Sequence, residues 1–101
     1  MNTESIKKIW IDNQYRLCVK PQKETYEQIY RSAMDVHWNQ EKCYLYTPSN
    51  SSWSPFEWFN QIVLAVKTEY GSQLYITEET QWENIKESLK TAIYMVGTTQ
   101  I

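Results

Sequence analysis

Ser54-Pro55-Phe56-Glu57 constrains this chain more than any other stretch of it. Serine offers the side-chain oxygen of an N-cap. Proline has no N–H to lose at the first helical position and a φ already set for it. A glutamate three residues after the cap can reach back to the cap's own N–H. Phe56, Phe59, Ile62, Val63, Val66 and Tyr70 then recur along one helical face, and Gly71 can take the left-handed conformation that closes a helix. The segment predicts about four turns of amphipathic helix. A lone amphipathic helix has nothing to bury its stripe against, so the remaining residues must supply a second layer.

They read mostly as strands. Ile6 to Ile11 and Tyr15 to Val19 are rich in β-formers and separated by Asp12-Asn13-Gln14. Tyr15, Leu17 and Val19 alternate with Arg16, Cys18 and Lys20, as in a hairpin with one buried face. Thr25-Tyr26-Glu27-Gln28 has the form of a capping box, and Tyr26, Ile29, Tyr30 and Ala33 share a stripe, predicting a helix of about ten residues. Val36 to Trp38 and Cys43 to Thr47 flank a polar turn and suggest a second hairpin. Gln73 to Thr77 reads as a short strand with Leu74 and Ile76 on one face. Thr80-Gln81-Trp82-Glu83 is another capping box, ahead of Trp82, Ile85, Leu89, Ala92, Ile93 and Val96, with Gly97 as the stop. The expectation is one α+β domain over residues 1–101, order β-β-α-β-β-α-β-α, with a mostly antiparallel sheet and helices packed on one face.

Several kinds of chemistry find no support. The net charge is −2 and the ten Lys and Arg are scattered, whereas phosphate-rich partners need a basic face, so no nucleic acid is expected. The opening residues Met1 to Ser5 lack a basic region followed by an apolar stretch, and no apolar run approaches the roughly 18 residues of a membrane span, so a cytoplasmic location is expected and no membrane association. Cys18 and Cys43 read as free thiols, and with His37 the only histidine there is no metal-ligand spacing. The second hairpin would set Cys43 near His37, but no orienting acid accompanies them. Glu78-Glu79 suits the approach to a helix N-terminus. Gly71 and Gly97 are the only glycines, which excludes glycine-rich phosphate loops. No catalytic residue, cofactor or metal is expected, and the chain reads as a non-enzyme.

Aromatic residues stand out, with five Trp, eight Tyr and two Phe making 15% of the chain. Tyr44, Tyr46 and Trp53 cluster ahead of the central helix. On that helix, at 100° per residue, Trp58 lies about 100° and Leu64 about 140° from the centre of the apolar stripe. These five residues are the candidate partner surface, since aromatics concentrate at interface centres. The rival is a small-ligand cleft lined by Tyr26, Tyr30, Trp38 or Trp82. Ile29-Tyr30-Arg31-Ser32-Ala33, Val36-His37-Trp38-Asn39, Phe59-Asn60-Gln61-Ile62-Val63 and Glu69-Tyr70-Gly71 together resemble small bacterial α+β proteins of the integron or mobile gene-cassette and toxin-immunity type. That resemblance implies a protein-binding accessory role, with a toxin or a neighbouring gene's product as partner, and carries over no site residues. A surplus of apolar stripes also suggests a homodimer.

Overall fold

The central helix begins as its sequence dictates. In the computed structural model, which describes residues 2–49 and 52–99, the Glu57 N–H donates to Ser54 Oγ at 3.3 Å and the Ser54 N–H donates to Glu57 Oε1 at 3.0 Å. Helix α1 spans Pro55–Tyr70 and closes on Gly71 at φ 66°, whose N–H donates to the Lys67 carbonyl. Before it come strands β1 (Asn2–Ile11), β2 (Leu17–Pro21), a 3-10 turn at Ile29–Arg31, β3 (His37–Asn39) and β4 (Tyr44–Tyr46). After it come β5 (Ser72–Tyr75), β6 (Gln81–Glu83) and α2 (Glu87–Thr99).

The fold is α+β, but its sheet is mixed. The strand order is β3-β4-β2-β1-β5, with β6 also on β1. One edge of β1 pairs antiparallel with β2. The other pairs parallel, first with β5 along Asn2 to Ser5 and then with β6 along Lys8 to Trp10. Helix α1 causes this, because a helical crossover returns the chain parallel to the strand it joins, where a tight turn would return it antiparallel.

Ile6 and Ile9 are three residues apart, so a regular strand would place them on opposite faces. The pairing with β2 slips between Ile6 and Lys8, a bulge that puts Ile6, Ile9 and Ile11 together in the core. They join Leu17, Val19 and Leu45 under Phe59, Ile62 and Val66 of α1 and Ile93 of α2. The helices cover this one face.

Four local expectations fail, the first two because a distant atom takes a group that local structure would have used. Thr25 to Ala33 forms only the single 3-10 turn, without a side-chain cap. The Glu4 carboxylate accepts the N–H groups of Lys23 and Glu24, and the Tyr70 hydroxyl accepts that of Gln28. Tyr26, Ile29 and Ala33 still reach the core. At the third capping box, Thr80 Oγ1 is engaged by the Ile6 carbonyl at 2.7 Å and the Thr77 N–H at 3.0 Å. Gln81–Glu83 is therefore a strand, and α2 begins only at Glu87. Gly97 lies inside α2 and does not end it. An interior glycine costs a helix about 1 kcal/mol and is no stop by itself. At the first hairpin, Tyr15 leaves the predicted strand for the turn, at φ 62° and 71% exposure.

Tyr26 is 1% exposed and its hydroxyl finds no hydrogen-bond partner among the described residues. Burial first, then the Glu4 and Glu24 charges, raise the pKa of the phenol, and Ser72 opposes the shift. A buried unsatisfied donor costs about 1–3 kcal/mol. Tyr26→Phe removes it without opening a cavity and is expected to hold or raise the urea midpoint. A lowered midpoint would contradict the unpartnered hydroxyl.

Candidate interaction surface

The face of the sheet turned away from the helices is built by strand alternation. Where Ile9, Val19 and Leu45 point inward, their neighbours point outward, and cross-strand pairing aligns those neighbours. His37 pairs with Tyr46, Tyr46 with Cys18, Cys18 with Trp10, and Trp10 with Glu83. This row runs across β3, β4, β2, β1 and β6. Beside it lie Asn39 paired with Tyr44 and Lys20 paired with Lys8.

The rings touch one another. Trp10 meets Tyr44 edge-on with centroids 4.9 Å apart, Tyr44 and Tyr46 lie 6.0 Å apart, and Tyr46 and His37 5.3 Å apart. Cations sit over two of them: Arg16 4.7 Å from the Tyr46 centroid and Lys8 Nζ 5.2 Å from that of Trp10. Trp10, Tyr44 and Tyr46 remain partly exposed and His37 is exposed. Such a surface can bind through its ring edges, its cations and hydrogen bonding.

Cys18, between Trp10 and Tyr46 in the row, is fully buried, with its Sγ toward Asp12 Oδ2 and the Arg16 carbonyl. Burial, and then the charge of Asp12, push its thiol up to about 12. Cys43 is partly exposed in the β3–β4 turn at φ 58°, with its Sγ toward the Gln40 carbonyl. Since the thiolate is the reactive form, iodoacetamide at about pH 8 is expected to modify Cys43 and spare Cys18 until urea is added. Equal native labelling of both would mean that Cys18 is open to solvent. The cross-strand partner of His37 is Tyr46, so the sequence-level idea of Cys43 facing it fails. Among the described residues no three His, Cys, Asp or Glu side chains gather as metal ligands, and no helix is long and apolar enough to cross a membrane.

Asp12 anchors the rim. Its Oδ1 accepts the N–H groups of Gln14 and Arg16, and its Oδ2 takes Arg16 Nε at 2.8 Å. Burial alone would raise its pKa, but the Arg16 N–H and guanidinium, with Gln14, hold it below the ordinary 3.8. A carboxyl depressed in the folded state adds stability above its unfolded pKa and loses it as the pH falls through the folded value. Asp12→Asn is therefore expected to destabilise the protein at neutral pH, with the difference closing below about pH 4. A constant gap down the acid limb would contradict this.

Of the five residues chosen from sequence, only Tyr44 and Tyr46 belong to this face. Trp58 is 7% exposed and sits in the core, so it is not a surface residue. The helix's buried arc is wide enough to include it, and Trp53 covers it with ring centroids 4.7 Å apart. Leu64 is 56% exposed on the far side of α1. The four residues weighed as a ligand cleft do not line one together: Tyr26 borders a recess of about 640 Å³ with Glu4, Tyr70 and Ser72, which Tyr30, Trp38 and Trp82 do not join. Tyr26 and Trp38 pack edge to face at 5.9 Å, Tyr30 points to solvent, and Trp82 lies under Lys90. Trp82, Ile85, Leu89 and Ile93 pack on this chain's own core. Trp10 was missed, although its place between Ile9 and Ile11 signals an outward side chain.

No curated protein matches the chain. A solved structure from the mobile metagenome of the North West Arm sewage outfall, described as integron cassette protein Hfx_Cass5, is 32% identical over 96% of this chain and 97% of that one, with a TM-score of 0.48. The family model described as integron cassette protein Hfx_Cass5 matches residues 4–80, from β1 to the end of the β5–β6 loop, and so takes in Trp10, His37, Tyr44 and Tyr46. The resemblance to integron cassette proteins drawn from the sequence holds, and the chain belongs to the Hfx_Cass5 family of integron cassette proteins.

Proposed function

We propose that this mobile-cassette protein is a non-enzymatic interaction module that docks a protein partner on the open face of its sheet. The observation that carries this reading is the row His37, Tyr46, Cys18 and Trp10, aligned across four strands on the face no helix covers. Its rings are held by their neighbours and lose little freedom on binding, which favours them as anchors. Masking a protein encoded nearby, as an immunity protein does, is the kind of task such a face supports. Capture from cells carrying the cassette is the test. The native chain and a Trp53→Ala variant are expected to retain the same protein, and Trp10→Ala/Tyr46→Ala to lose it. Retention by the double variant would refute the assignment.

A second reading has its own observation. A groove of about 560 Å³ runs between Ile11 and Tyr15, Pro55 at the start of α1, and Ile85 and Leu89. Its size and apolar walls suit a small amphipathic ligand. Ile85→Glu would abolish such binding and leave the sheet face untouched. Self-association, in turn, would draw on Leu64 and Met95, which stay exposed on the helices.

A further inference from the structure

Resting on the docking reading above, we infer that the open face takes an acidic segment of its protein partner, the reverse of what the chain's net charge suggests. The face carries Lys8, Arg16 and Lys20 against Asp12 and Glu83, a balance of +1 on a chain of ten bases and twelve acids, which leaves seven bases and ten acids elsewhere. Both acids are already held: Asp12 by Arg16 at 2.8 Å and Glu83 by Lys8 at 2.9 Å. Lys20 meets no acid among the described residues; its Nζ donates to the Lys42 carbonyl and keeps further N–H groups. The charge left to recruit a partner is positive, and it lies one strand from Trp10 and Tyr44.

Phosphate is the other anion such a face could attract, but the rings argue against single-stranded nucleic acid. Base stacking needs open ring faces. Here Arg16 lies over Tyr46, Lys8 over Trp10, and the Tyr44 ring packs edge to face with that of Trp10. Carboxylates need only the cations and the ring edges.

The full chain, labelled with ¹⁵N, can be titrated with three probes: a glutamate–tyrosine copolymer peptide, a lysine–tyrosine copolymer and oligothymidylate. The glutamate–tyrosine peptide is expected to shift the amides of Lys8, Trp10, Cys18, Lys20, Tyr44 and Tyr46, weakening with salt. Lys20→Glu should cut its affinity at least tenfold, and Lys20→Gln less, both at an unchanged melting temperature. Shifts on this face from the lysine–tyrosine peptide alone would overturn the acidic partner and leave the docking surface standing. Tighter saturation by oligothymidylate would overturn a protein partner, and shifts only elsewhere would overturn both readings. No shift with any probe would overturn the acidic partner, and docking on this face is then decided by the Trp10→Ala/Tyr46→Ala capture and by photocrosslinking from position 44, failure of either overturning it.

Discussion

Ile62→Ala is expected to lower the unfolding free energy by about 2–5 kcal/mol, the range for truncating a fully buried aliphatic side chain. Ile62 is 0% exposed, one turn from Trp58 on one side and Val66 on the other, both buried. The cavity cannot collapse easily, because the facing wall is the sheet itself, with Ile9 and Val19 fixed in paired strands. Leu64, two residues on and 56% exposed, is the internal control. Leu64→Ala should change stability by no more than about 0.5 kcal/mol. Denaturant midpoints for the pair check this, and an unchanged midpoint for Ile62→Ala would take α1 out of the core.

The second large effect concerns binding. Tyr46→Ala should weaken the captured partner's affinity roughly thirtyfold, the size of a hot-spot truncation. Tyr46 joins the face at four points: it pairs with His37 and with Cys18, lies beside Tyr44, and supports the Arg16 guanidinium. Truncation therefore removes a contact and also releases a cation from its preset place. Stability should fall by no more than about 1 kcal/mol, the worth of a cross-strand pair on a solvated face. Titration calorimetry beside a urea melt separates the two effects. Native affinity in the truncated protein would exclude Tyr46 as an anchor.

The parts of this fold that were legible in the sequence are those whose cause is local. Ser54 and Glu57 satisfy each other within one turn, and Gly71 closes the same helix through its own φ, so α1 could be placed to the residue. The parts that were not legible are fixed from far away. Thr80 looks like an N-cap until Ile6, 74 residues earlier, takes its hydroxyl. Thr25 to Ala33 looks like a helix until Glu4 and Tyr70 accept its N–H groups. The parallel pairing of β5 and β6 on β1 depends on where α1 sets the chain down, which no local pattern encodes. The candidate site divides in the same way. Tyr44 and Tyr46 flank Leu45, and alternation alone turns them outward together. Trp10 needed the register of β1 against β2 to join them, and that register depends on the bulge at Lys7.

Site-specific photocrosslinking tests the open face most directly. A benzoylphenylalanine at position 44 samples that face, and one at position 64 samples the solvent side of α1. Irradiated in cells that carry the cassette, the protein labelled at position 44 is expected to give one discrete protein adduct that position 64 does not give. An adduct from position 64 alone, or none from position 44, would contradict a docking surface on the open sheet.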